Sequence, residues 1–233
     1  MRAAKSVGRT IGVLFLVQAL LAPPVYTQWG MMGSVTAPDF LANAAGNATQ
    51  IRVAVLLTFV LSALTLAAAL MALPVFRRHS ERMAFLFLAL SVVGLATQVV
   101  ESVATRDMLS MSLMYTKADA PKEFLETLGA VARSTWSSAH FTNLMLGHLK
   151  ALVFYVIMYC FALVPRVLGG VGIAATVLST TAATMPLLGY RFSYLMVAPA
   201  AVTQLALTLW LIVKGFEERH DPGRLKSTRS DPR

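Results

Sequence analysis

The sequence predicts an all-α, polytopic membrane protein: a bundle of six transmembrane helices with both termini cytoplasmic. Three observations carry that reading. Of 233 residues, 57% are hydrophobic and only 13% are charged, about half the charged fraction of an ordinary soluble domain. Mean hydropathy is +0.66, which points to lipid as the solvent. The apolar residues are gathered into six stretches, each long enough to cross a hydrocarbon core of about 30 Å as a helix.

The first stretch, TIGVLFLVQALLAPPVY (10–26), follows the basic segment MRAAKSVGR. A basic start before an apolar run also has the shape of a cleaved signal peptide. Pro23 and Pro24 stand where a small-residue cleavage site should be, so the segment is expected to stay as a true span. Residues 27–50 are rich in Gly, Ala and Asn with little periodicity, and predict an irregular loop. The second span is IRVAVLLTFVLSALTLAAALMALPVF (51–76), and the basic turn RRHSER (77–82) leads into the third, MAFLFLALSVVGLATQVVESVAT (83–105).

Residues 106–140 form a second long loop. Within it, PKEFLETLGAVARSTW offers Pro121 for a first helical position and sets Phe124, Leu128, Val131 and Trp136 near one face. That pattern predicts a short amphipathic helix lying on the outer surface. The fourth span is FTNLMLGHLKALVFYVIMYCFALV (141–164). The fifth runs from Gly169 to Tyr190; Gly169, Gly170 and Gly172 at its start read as small-residue helix packing, not as a phosphate loop. The sixth runs from Ser193 to Phe216. Residues 1–216 are thus expected to form a single transmembrane domain, with 217–233 as a disordered, basic cytoplasmic tail.

Orientation follows from the basic residues. One set of connections holds Arg77, Arg78, Arg82, Arg166 and Lys214, together with the basic start and the basic tail. The alternate set holds Arg52, Arg106, Lys117, Lys122, Arg133 and Arg191, diluted over much longer loops. The first side is cytoplasmic by the positive-inside rule. The net charge of +9 is therefore a topology signal: no continuous basic face exists to track phosphates, and no nucleic-acid partner is expected.

Site chemistry is sparse. The single cysteine, Cys160, allows no internal disulfide. His79 and His220 fall on the cytoplasmic side, while His140 and His148 are eight residues apart on one helix, so no metal or haem site is expected. No nucleotide, hydrolase or metalloprotease motif occurs, and no cofactor is expected.

What remains are strongly polar residues inside spans. Gln18 lies in the first, Gln98 and Glu101 in the third, Asn143, His148 and Lys150 in the fourth and Gln204 in the sixth, with Arg52 opening the second. Nearly all fall in the predicted outer half of the bilayer. A charged residue near a span centre costs about 2.5–3.5 kcal/mol on insertion scales, so these residues are expected to line one polar cavity reached from outside. Side-chain tilt along antiparallel helices would let Glu101 and Lys150 lean toward each other, which predicts a buried ion pair. At 100° per residue His140, Asn143, Gly147 and Lys150 share one face of the fourth span, and His148, Tyr155 and Tyr159 share another.

The basic start, the RRHSER turn, Glu101 near the end of the third span, KALVFYVIMYCFALVPRVLGGVGIAA (150–175) and the closing LTLWLIVKGF (207–216) together resemble one bacterial family of six-helix membrane proteins, domain of unknown function 4386. The resemblance covers nearly the whole chain. It implies a multi-pass protein of the bacterial plasma membrane and supplies no activity, substrate or catalytic residue.

Three function classes follow. The expected one is binding or moving a small molecule or lipid through the polar outer cavity. An accessory subunit whose polar residues only hold the bundle together is the alternative. An intramembrane enzyme using Glu101 or His148 as acid or base fits less well, because such sites show more convergent groups.

Overall fold

The computed structural model describes residues 2–27, 29–117, 119 and 121–217. The expected tail, 217–233, thus lies outside the described residues except for Glu217. Eight α-helices occur among them, and six are long and apolar enough to cross a membrane. These are α1 (Arg2–Tyr26), α4 (Ala48–Arg77), α5 (Glu81–Tyr115), α6 (Lys122–Cys160), α7 (Arg166–Thr184) and α8 (Tyr194–Lys214). Between α1 and α4 sit two single-turn helices, α2 (Gly33–Thr36) and α3 (Phe40–Asn43).

The spanning helices run alternately up and down, each packed on its sequence neighbours, and α1 closes on α8 to complete a ring. Glycine makes that closure possible. A Cβ built on Gly8 would sit 2.4 Å from the Phe216 backbone nitrogen, and one on Gly12 would sit 2.8 Å from that of Ile212. Two glycines four residues apart let the backbones approach this closely, the small-residue device of membrane helices. Arg9 fastens the same seam by donating to the Val213 carbonyl at 3.0 Å. The first and last helices therefore begin and end at one end of the ring, the terminal end.

Here the ring interior is solid. Phe15, Phe76, Phe87, Phe154 and Phe216 meet edge-on or tilted, with ring centroids 5.4–5.9 Å apart, geometry that aromatic quadrupoles favour. Ala68, Ala69 and Ala72 of α4 and Met158 of α6 complete the plug. Leu207 and Leu211 of α8 join it. The Gly169 and Gly172 positions of α7 receive the backbone of Tyr159 and the ring of Tyr155, the small-residue packing expected of that glycine cluster.

The opposite, distal end differs from expectation twice. Residues 29–50 are compact, not irregular. Val35, Phe40 and Ala44 are buried with Met108 and Leu109 of α5, and the Ser112 hydroxyl of α5 donates to the Leu41 carbonyl and accepts from the Ala45 amide. Sparse apolar anchors at 35, 40 and 44 show no period, which is why the sequence reads as a loop. Secondly, the amphipathic helix expected near 121–136 exists but is not a separate surface element. It is the first three turns and more of α6, continuous with the fourth span through residue 140. With 39 and 35 residues, α6 and α5 are about 58 and 52 Å long, nearly twice a hydrocarbon core. Their excess length stands together as a hairpin beyond it. Its buried face is only partly the expected one: Trp136 turns inward, joined by Leu125 and Gly129, whereas Phe124 and Val131 are 61% and 60% exposed. The reason is the close partner. Gly129 lies against the Leu41 side chain of α3, and that contact sets the rotation.

Candidate functional site

Between the phenylalanine plug and the distal cap the ring encloses a cavity of about 1080 Å³. Walls come from α1, α4, α5, α6 and α8, and its rim carries the exposed Pro38 and Tyr194. Six of the residues singled out by polarity line it: Gln18, Gln98, Glu101, Asn143, His148 and Lys150. The predicted stripe His140, Asn143, Gly147 and Lys150 lines it in full, because those positions recur at helical spacing on the one face of α6 that looks into the ring. Two expected residues are elsewhere. Arg52 is exposed on α4, and Gln204 accepts a hydrogen bond from the Tyr155 hydroxyl at 3.1 Å. That bond ties α6 to α8 outside the cavity lining.

One wall is a continuous polar network. Glu101 is only 4% exposed and Gln98 5%. The Glu101 carboxylate accepts from Asn143 Nδ2 at 2.8 Å and pairs with His140 Nδ1 at 2.9 Å. Asn143 Nδ2 also reaches Gln98 Oε1 at 3.0 Å, which accepts from the Tyr26 hydroxyl at 3.4 Å as well. Thr97 donates to Asn143 Oδ1 at 2.8 Å, and the Trp136 indole stacks flat on His140, 5.0 Å between centroids. Buried polar groups need such partners, and here they come from three helices.

The expected Glu101–Lys150 pair does not form. Register decides this. The α5–α6 pairs Thr97–Asn143, Gln98–Asn143, Glu101–His140 and Tyr115–Glu126 join residues whose numbers total 240 or 241, and Glu101–Asn143 lies within one turn of that register at 244. By that rule Lys150 stands opposite Leu90 and Ser91, which line the cavity with it. Glu101 is then about ten residues, or about 15 Å, farther along the bundle. Tilted side chains cannot close so large a gap, and His140 with Asn143 occupy the carboxylate instead. The helical period already places His140 on the cavity face; only the register gives it to Glu101, and only the fold brings Trp136 into the lining.

Lys150 is left as the deep feature. Among the described residues it forms no hydrogen bond or ion pair, and Glu101 is the single carboxylate among the lining residues, which also include the cation Arg133. Arg133 is held at the rim by the Ala37 carbonyl. Three other lining residues carry buried polar atoms without a partner: Gln18 Nε2, Trp136 Nε1 and His148 Nε2. His148 is anchored from behind, its Nδ1 lying 3.3 Å from the Ser179 hydroxyl of α7. Among the described residues, no group of three His, Cys, Asp or Glu side chains could hold a metal ion.

A family model described as "Domain of unknown function (DUF4386)" matches residues 10–215. The chain belongs to that family. The matched region starts inside α1 and ends just after α8, so the DUF4386 domain is the whole ring, with its plug, its cap and its cavity. No curated protein and no solved structure matches the chain.

Proposed function

We propose that this DUF4386 protein sits in the bacterial plasma membrane with both termini cytoplasmic and binds, or moves, a small molecule or lipid in its distal cavity. The single observation behind this reading is the contrast between the two halves of one ring. The terminal half is filled by five phenylalanines, while the distal half keeps about 1080 Å³ open and lines it with polar residues. That volume is at the upper end of ligand pockets. Intramembrane polar groups are costly and rare unless they serve a pathway or a site. An accessory subunit would need them only as internal ties. Glu101, Gln98 and Asn143 meet that description, but Lys150 lines the same space and is tied to none of them. The basic residues Arg9, Arg77, Arg78, Arg82, Arg166 and Lys214 gather at the terminal end, which supports placing that end in the cytoplasm.

Gentle purification followed by a lipid- and metabolite-wide mass-spectrometric search tests the reading. A Cβ at Gly147 or Gly94 meets nothing within 4 Å, and both glycines line the cavity, so Gly147→Leu fills the space without a backbone clash. A bound species on the wild-type protein that disappears from a folded Gly147→Leu variant is the expected result. Identical small-molecule content in the two proteins would sink the proposal.

A further inference from the structure

Resting on the reading of the cavity as a binding site, we infer that its ligand is an anionic amphiphile whose charged head sits against Lys150, with its apolar body along the leucine-lined wall. The argument begins with what the cavity has left to offer. Its one carboxylate is already used, held between His140 and Asn143. Its uncommitted charge is a donor. Lys150 brings three N–H bonds, and the lining residue Gln18 belongs to the same level of the ring. Tyr26 bonds Gln98, so α1 and α5 run parallel with an offset of about 72 in residue number; Gln18 then falls at the level of Leu90 and Ser91, where Lys150 also stands. One full positive charge therefore stands at a defined depth of the cavity, opposite Leu90 and Ser91.

A ligand placed there must accept hydrogen bonds and carry negative charge. A neutral head would leave the ammonium without its counter-charge, and a cation would be repelled. Leu90 stands at that depth and Leu61, Leu95 and Leu144 line the same cavity with hydrocarbon, so a bare inorganic anion would exchange its hydration for apolar walls at a net loss. An anionic oxygen on an apolar chain satisfies both surfaces at once. A fatty carboxylate and an alkyl phosphate share this chemistry.

The test uses the full chain in a neutral detergent with four probes: dodecanoate, dodecyl phosphate, dodecanol and inorganic phosphate. At least one dodecyl anion should bind wild-type protein about tenfold or more tighter than dodecanol, the scale of one charge-assisted hydrogen bond. Lys150→Gln and Lys150→Met should bring anion and alcohol to near equality, while Arg52→Gln, altered outside the cavity, should keep the full preference. Lys150→Met should also fold at least as stably as wild type, since it removes an unpaired charge from a membrane span; marked destabilisation would make the lysine structural and overturn the inference. Equal binding of alcohol and anion, or a preference that survives loss of Lys150, would overturn it too. Displacement of dodecyl phosphate by inorganic phosphate alone would replace the amphiphile with a simple anion. If no probe binds but a neutral or cationic species co-purifies and is lost in Gly147→Leu, the binding cavity stands and the anionic head falls. If nothing binds and nothing co-purifies, both fall together.

Discussion

Glu101 offers the sharpest quantitative test of the helix register. Its carboxylate is nearly inaccessible, accepts from Asn143 at 2.8 Å and pairs with His140 at 2.9 Å. Changing Glu101→Gln keeps the shape and one acceptor but removes the charge that the His140 contact uses. A hydrogen bond to a charged group contributes about 1.5–3 kcal/mol. The His140 side chain retains 27% of its exposure, so water recovers part of that loss and the lower half of the range is expected. His140→Leu should cost a similar amount, and the double variant should cost little more than either alone, giving a coupling of about 1–2 kcal/mol. The second cycle is the control. Glu101 and Lys150 are separated by about 15 Å along the bundle, and changes that far apart add within about 0.5 kcal/mol. Reversible unfolding in detergent micelles, read by the loss of helical signal, measures both cycles. Coupling at Lys150 equal to or above that at His140 would refute the register, because it would require α5 and α6 to slide past each other by nearly three turns.

Three further outcomes are expected. Gly172→Ala should destabilise the fold by about 1–3 kcal/mol, since the new Cβ would lie 2.1 Å from the Tyr155 ring, whereas Gly147→Ala should gain up to about 1 kcal/mol of helix propensity; the same unfolding assay separates them, and equal effects would contradict the packing. Ser112→Ala removes both ties between α5 and the 40–45 turn, and should cost about 1–2 kcal/mol while speeding proteolysis of residues 27–47; unchanged cleavage would show that the cap holds without it. Reporter fusions after Arg82, Arg166 and Phe216 should read cytoplasmic, and fusions near Asn47 and Lys122 external. An external reading at Arg82 would reverse the proposed orientation.

Whatever depends on counting along the chain is written in the residues themselves. Bilayer thickness sets the length of an apolar run, so six spans could be read directly. Helical period is local, so the stripe His140, Asn143, Gly147 and Lys150 could be assigned to one face, and that face does line the cavity. Every relation between helices comes from the folded bundle. How far α5 slides along α6 is set by the close packing of their side chains, and no local pattern reports it; the slide gave Glu101 to His140 and Asn143 and left Lys150 opposite Ser91. The same holds for the distal cap. Val35, Phe40 and Ala44 are too few and too irregularly spaced to announce structure, yet they bury completely once Met108 and Leu109 are brought over them. Likewise Phe124 and Val131 look inward on a helical wheel drawn alone, and Gly129 turns them out by admitting Leu41. A helix carries its own period, but its rotation and its height belong to its neighbours.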